Sequence, residues 1–360
     1  MVDLVAGRWA THARALALAD ADVGSAAFAA AVDWLVAGDV VRNLEFLEWH
    51  GLSSLCEDQL RRASLLDQVP EGVRRQLLSS RRNAVARYLT QVGVWSELAP
   101  ALERCGIEYV VLKGAATREE VYTDPSLRST GDIDLLVRET DREAVCRQLE
   151  ALAFSAPVVA RPGGHEVTYS RGRVDIDLHW DILRPGRTRR PLVDALIRRR
   201  VRGPRAWRLD DPDTVFLMLV HPAFTKYVCS RNMGLNRVVD LLRFTRARTV
   251  NWQRVGDLLT GSGLCTAAWC TLRWIGMLDP AATAAPDSFM RRICPGPMRR
   301  VYLEQWLVYD WPGRLLGRAD WLIQGAFTLP LHDSGADAWR ALSHRALRRD
   351  AAVAPTGAPA

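Results

Sequence analysis

Two short apolar runs in this chain carry aspartates two residues apart: Gly131-Asp-Ile-Asp-Leu-Leu-Val137 and Val174-Asp-Ile-Asp-Leu-His-Trp180. Side chains of a β-strand alternate between faces, so Asp132 and Asp134 point one way while Ile133 and Leu135 point the other. The same period puts Asp175, Asp177 and His179 on one face of the second run. Like charges roughly 7 Å apart on a strand face repel unless something positive lies between them. One such pair fits a solvated sheet face as well as a metal site. If the two strands are neighbours, three or four carboxylates converge, an arrangement that calls for cations or arginines. Hard divalent ions prefer such oxygen ligands, and two-metal phosphoryl chemistry needs them.

The surrounding pattern predicts an α+β chain with a small mixed sheet between helical regions. Residues 1–98 read as helices, among them Ala26 to Val36, Val40 to Ala63, and one starting at Pro70-Glu71. A core over 99–184 follows. It has a strand at Ile107–Leu112, a short helix to Tyr122, a loop to Gly131, and a strand from Asp132 to Val137. A helix from Asp141 to Leu152 leads into a hairpin of His165–Ser170 and Arg173–Ile182. Residues 185–349 return to helices, and 350–360 read as a flexible tail.

With 360 residues, 48% of them hydrophobic, the chain can bury a real core. No apolar run approaches the roughly 20 residues that cross a bilayer, and the start lacks a secretory pattern, so a cytoplasmic place is expected. Seven scattered cysteines suggest reduced, structural thiols. A net charge of +7 and a pI near 9.3 favour an anionic partner, although arginine dominates the positive charge. Only two lysines occur, Lys113 and Lys226. Where arginine stands almost everywhere else, a lysine is a candidate for a task needing a compact ammonium.

Lys113-Gly114 follows the first strand, where backbone N–H groups can hold a phosphate; a plain turn glycine is the alternative. Arg128 suits a triphosphate contact or an aspartate partner. His221 and Lys226 end an apolar helix and could approach the nucleotide or the acceptor. Asp240 suits a pair with Arg237 or Arg243, or a base or ribose contact. The densest basic run is Arg189-Arg190, Arg198 to Arg200, Arg202 and Arg205, a footprint for an RNA or phosphorylated acceptor or a set of solvated helix ends. Tryptophans from Trp269 onward read as core.

Taken in order, Gly106-Ile-Glu-Tyr-Val-Val-Leu-Lys-Gly-Ala-Ala116, Tyr122, Asp124-Pro125, Arg128, Gly131-Asp-Ile-Asp-Leu-Leu-Val137 and Ile176-Asp-Leu-His-Trp180 resemble the uncharacterised nucleotidyltransferase family of the polymerase-beta-like superfamily. His221, Asp240 in Arg237-Val-Val-Asp-Leu-Leu242, and Asn251-Trp252 are similar to its later helical motifs. The resemblance spans roughly residues 40 to 260. It implies metal-dependent transfer of a nucleoside monophosphate from an NTP, ATP among them, to a hydroxyl acceptor, with pyrophosphate released. Asp132 and Asp134 would hold Mg²⁺ (or Mn²⁺), with Asp177 as the third catalytic and metal carboxylate and Asp175 as its rival. Lys113, Gly114, Arg128, His221 and Lys226 would face the nucleotide. The acceptor is a peptide, small natural product or protein; RNA is less favoured because no RNA-binding module is recognisable. The alternative is a non-catalytic nucleotide-binding or toxin–antitoxin type partner that retains the fold.

Overall fold

The computed structural model describes residues 2–156, 164–230, 232–279 and 284–353. Five helices come first: α1 (Val2–Asp20), α2 (Ala26–Val36), α3 (Val40–Trp49), α4 (Ser53–Arg62) and the long α5 (Glu71–Arg104). The sequence predicts one helix over Val40–Ala63, and the structure divides it. Gly51 takes a left-handed φ of +67°, and a Cβ there would lie 2.4 Å from the Asn236 side-chain nitrogen. The break is also a docking point, because the His50 carbonyl accepts from the Asn236 N–H and His50 Nδ1 from the Leu235 N–H. A turn that receives the start of a later helix cannot itself remain helical.

The sheet follows: β1 (Tyr109–Val111), α6 (Lys113–Val121), β2 (Asp132–Val137), α7 (Arg142–Ala151), β3 (Glu166–Arg171) and β4 (Val174–His179). After α8 (Val193–Arg198), two short strands were not anticipated from the sequence, β5 (Val201–Arg202) and β6 (Trp207–Arg208). Each is only two residues long, too short for alternation to register. Among the described residues the sheet order is β3-β4-β2-β1-β6-β5, with β2 parallel to β4, β6 parallel to β1, and the remaining pairs antiparallel. The mixed sheet between helices agrees with the α+β expectation.

Alternation gives the sheet two different faces. Ile133, Leu135, Val137, Ile176 and Leu178 pack with Leu98 and Leu102 of α5 and with Val145 and Leu149 of α7. The opposite face carries the aspartates and, through Val110, Leu112 and Leu136, joins the larger core built from both the N-terminal and the later helices. Those later helices include α9 (Asp211–His221), α10 (Leu235–Ala247), α11 (Trp252–Ser262), α12 (Cys265–Leu278), α13 (Asp287–Ile293), α14 (Pro297–Val308), α15 (Trp311–Leu315), α16 (Asp320–Leu322) and α17 (Gly335–Val353). The first four residues of the expected tail lie in α17, and 354–360 fall outside the described residues. No helix among the described residues is long and apolar enough to cross a membrane. All seven cysteines are free.

The tryptophan expectation needs correction. Trp269 and Trp274 are core, but Trp311 and Trp321, on the short elements α15 and α16, and Trp339, on α17, are exposed. In the same region Asp337 is buried and accepts hydrogen bonds from Arg189 (2.8 and 3.0 Å) and Arg340 (2.7 Å). The Arg189 hydrogen bonds, against an opposing burial effect, hold its carboxyl well below the usual range. A carboxyl depressed on folding stabilises above its unfolded pKa of about 4, and that contribution fades as pH falls through the folded value. Asp337→Asn is therefore expected to lower the melting temperature at pH 7, with the gap to wild type closing below about pH 4. A gap that stays constant in a thermal melt series from pH 7 to pH 2.5 would refute the assignment.

Candidate active site

β2 and β4 run parallel in a register that sets Asp132 opposite Asp175 and Asp134 opposite Asp177. Neighbouring strands lie about 4.8 Å apart and rise about 3.3 Å per residue, so Asp132 and Asp177 are about 8 Å apart at Cα, diagonal neighbours on one face. The two acidic runs are thus one cluster. The carboxylates differ in surroundings. Asp134 is buried, contacts the Lys113 ammonium at 2.5 Å and lies 2.8 Å from His179 Nε2. Burial would raise its pKa, but the Lys113 charge and the His179 hydrogen bond overcome that and hold it far below the carboxylate range. The Asp132 carboxylate makes no hydrogen bond or ion pair among the described residues. Burial, then the charges of Asp134 and Asp177, push it up to about 6. Asp177 accepts from Thr168 Oγ1 and Asp175 from Ser170 Oγ, each at 2.6 Å.

A cavity of about 360 Å³ opens over this face. Asp132, Asp134 and Asp177 line it, and Asp175 does not. One ligand atom each from Asp134, Asp177 and His179 lies within 4.8 Å of the others, close enough to share a cation. An acidic cluster whose outer member is forced toward protonation for want of a counter-charge is suited to a divalent ion.

Lys113 stands at the junction of β1 and α6 with φ +52°, a left-handed conformation that costs a non-glycine residue about 1–2 kcal/mol. From this position its ammonium reaches the Asp134 carboxylate. Gly114 beside it has no positive φ. It is glycine for lack of room, because a Cβ would meet Thr130 Cγ2 at 2.7 Å and the Arg128 guanidinium at 3.0 Å. Close packing, and not a left-handed turn, is thus what calls for glycine here.

The sequence left Arg128 between a triphosphate and an aspartate, and the structure gives it an aspartate. Its guanidinium donates to both oxygens of Asp240 (2.9 Å from Nε, 2.7 Å from the terminal nitrogen), and Tyr122 donates to Asp240 at 2.7 Å. The partner of Asp240 is thus neither Arg237 nor Arg243. Arg243 pairs with Asp20, and Arg237 donates to the Met233 carbonyl. Arg128 and Asp240 still line the cavity.

α9 ends in a wide turn over Pro222–Lys226, and the next two residues, Tyr227 and Val228, take φ of +54° and +43°. This strained exit holds His221 and Lys226 at the cavity wall. His221 is buried, with its Nδ1 3.2 Å from the Thr225 hydroxyl, which donates to the His221 carbonyl at 2.8 Å. Burial, with the Lys113 charge, drives its pKa well below the usual value, so the ring is neutral. The Lys226 ammonium makes no ion pair or hydrogen bond among the described residues. Burial and the charges of Arg237 and Lys113 lower its pKa.

The basic run behaves differently from a footprint. Arg189, Arg199, Arg200, Arg202 and Arg205 pair with five different carboxylates, Asp337, Asp213, Glu108, Glu103 and Glu119. Helix and strand directions scatter the run over separate neighbours, so it forms no single unpaired patch. What the sequence did not single out is His179, although alternation put it on the aspartate face, nor Arg208 and Glu166, whose strands bring them to the cavity.

A family model described as an uncharacterised nucleotidyltransferase matches residues 37–277. The chain belongs to this nucleotidyltransferase family. No curated protein and no solved structure matches it. The family match runs from α3 to α12, so the helices that wall the cavity are part of the nucleotidyltransferase unit as much as the sheet is. Membership establishes a transferase of the nucleotidyl type.

Proposed function

We propose that the protein moves a nucleoside monophosphate from an NTP to a hydroxyl acceptor, using a three-carboxylate site of Asp132, Asp134 and Asp177. The observation that carries this reading is the parallel register of β2 and β4 beneath a cavity that also receives both lysines of the chain. Asp132, Asp134 and Asp177 would hold Mg²⁺ or Mn²⁺, which when bound lowers the pKa of the acceptor hydroxyl and neutralises developing phosphate charge. In the transfer, the acceptor oxygen forms a bond to the α-phosphorus, the bridge to the β-phosphate breaks, and pyrophosphate leaves. Asp177 is assigned the hydroxyl proton. Asp175 is the weaker candidate, since it does not line the cavity.

Lys113 and Lys226 are assigned to the phosphates as compact charges. Lys113 exchanges its Asp134 contact for the nucleotide once the carboxylate has another counter-charge. Arg128, fixed by Asp240, holds the wall against which Gly114 sits, and neutral His221 packs against the nucleotide. A second polar cavity of about 560 Å³ shares Gly131, Lys226 and Arg237 with the first and gives the acceptor an approach. The acceptor is a hydroxyl on a peptide, small natural product or protein.

Purified protein incubated with each labelled NTP, Mg²⁺ and candidate hydroxyl compounds is expected to transfer label and release pyrophosphate. No turnover or self-labelling with any NTP, together with an unchanged result for Asp134→Ala, would sink the reading. Lys113→Ala is expected to raise KM for the NTP about 10–100-fold, the equivalent of the about 1.5–3 kcal/mol of a charge-assisted hydrogen bond. An unaltered KM in steady-state kinetics would remove Lys113 from the phosphate site.

A further inference from the structure

We infer that His165, Glu166 and His179 form a separate cation site for one zinc-type divalent ion, next to the aspartate cluster and sharing none of its carboxylates. One donor atom of each lies within 4.8 Å of the other two. His179 Nδ1 is 3.2 Å and His165 Nε2 3.6 Å from the same Glu166 oxygen. A tetrahedral ion bound at about 2.0–2.1 Å keeps its nitrogen and oxygen donors about 3.3 Å apart, so both separations match those around a common centre.

The alternative is a plain hydrogen-bonded triad, and the directions of the contacts speak against it. His165 and His179 are buried, with 6% and 1% exposure, yet neither His165 Nε2 nor His179 Nδ1 has a hydrogen-bond partner among the described residues. His179 Nδ1 is close to the Glu166 oxygen but misaligned with it, and His165 Nε2 stands just beyond hydrogen-bond distance from it, as donors do when they surround a shared position rather than bond to each other. Leaving two buried ring nitrogens unsatisfied is costly, and a bound ion removes that cost.

The other side of His179 agrees. Its Nε2 is 2.8 Å from Asp134 Oδ1. A metal-bound histidine characteristically donates its remaining ring N–H to a carboxylate, which fixes the tautomer and the ring. With Nδ1 on the ion, Nε2 carries the proton and donates to Asp134, so the ion acts as a positioning device for a carboxylate of the proposed catalytic cluster. Two imidazoles and one carboxylate favour zinc-type ions over magnesium. Glu166 and His165 line the main cavity, so a fourth position faces bound ligand.

The inference does not depend on the proposed reaction, and its test reads metal rather than turnover. Full-length protein free of any histidine tag is stripped with chelator, equilibrated in millimolar Mg²⁺ to occupy the aspartates, and titrated with Zn²⁺ against a chromophoric competitor. A parallel titration with Co²⁺ is followed by visible absorption. One equivalent of Zn²⁺ and the intense bands of four-coordinate Co²⁺ are expected. Glu166→Gln, a change at a half-exposed position that leaves folding intact by circular dichroism, and His165→Ala should each weaken Zn²⁺ binding at least about 100-fold, the upper end of what losing even an outer partner costs. Asp177→Asn should keep it. Absence of a Zn²⁺ equivalent in the wild-type protein overturns the site. So does zinc that persists in Glu166→Gln and disappears in Asp177→Asn, which would place the ion among the aspartates.

Discussion

Asp177→Asn is expected to lower the rate of nucleotidyl transfer by about three to four orders of magnitude, while Asp175→Asn stays within about tenfold of wild type. Both substitutions keep shape, and both leave an oxygen to accept the hydroxyl hydrogen bond that each aspartate now receives, from Thr168 and Ser170 respectively. Folding is therefore the same control for both. What separates them is the cavity: Asp177 lines it opposite Asp134, whereas Asp175 pairs with Asp132 nearer the start of the strand and does not reach it. Removing a negative oxygen from the proposed cation and proton-accepting position forfeits several kcal/mol of transition-state stabilisation, and each 1.36 kcal/mol is a factor of ten. Single-turnover rates at saturating NTP and Mg²⁺ give the comparison. Equal losses in the two variants, or the larger loss in Asp175→Asn, would reverse the assignment of the third carboxylate.

That pair also shows where the sequence was legible. Period-two alternation is a property of the backbone, so the shared face of Asp132 and Asp134, and of Asp175, Asp177 and His179, could be read directly. Alternation is silent on which strands become neighbours and on which end of a strand meets a cavity. Those depend on β2 and β4 pairing in parallel across α7, and on α9 and α10 closing over one end of the sheet. The start of α5 and the short α6 were visible for the same local reason, the Pro70-Glu71 start and the break at Lys113-Gly114. By contrast, β5 and β6 have no periodicity to detect. The break at Gly51 answers to Asn236, far along the chain, and such tertiary demands override local propensity. The conformation at Lys113 was equally out of reach, since nothing in a Lys-Gly pair indicates that the lysine, rather than the glycine, takes the left-handed φ.

Asp240→Ala is the substitution expected to destabilise most. Arg128, Asp240 and Tyr122 are all at or below 5% exposure, and the carboxylate receives both forks of the guanidinium and the phenol. Taking away one partner of a buried ion pair leaves the other charge uncompensated, at a cost of about 3–5 kcal/mol. Against a total stability of about 5–15 kcal/mol, that is a large fraction, to be measured as a shift in the urea midpoint at unchanged slope. Replacing both partners with apolar residues of similar volume, as in Arg128→Met with Asp240→Leu, is expected to recover part of the loss, because a buried ion pair is often no more stable than a well-packed apolar pair, while the buried Tyr122 hydroxyl is still left without its acceptor. Activity should not recover with it. The guanidinium sits 3.0 Å from where a Gly114 Cβ would be, so it forms part of the wall beside Lys113, and methionine cannot reproduce that planar, charged surface. A double variant that is stable and fully active would show that the Arg128–Asp240 pair serves folding alone, and a single Asp240→Ala costing under about 1 kcal/mol would show that the pair is not desolvated as its burial requires.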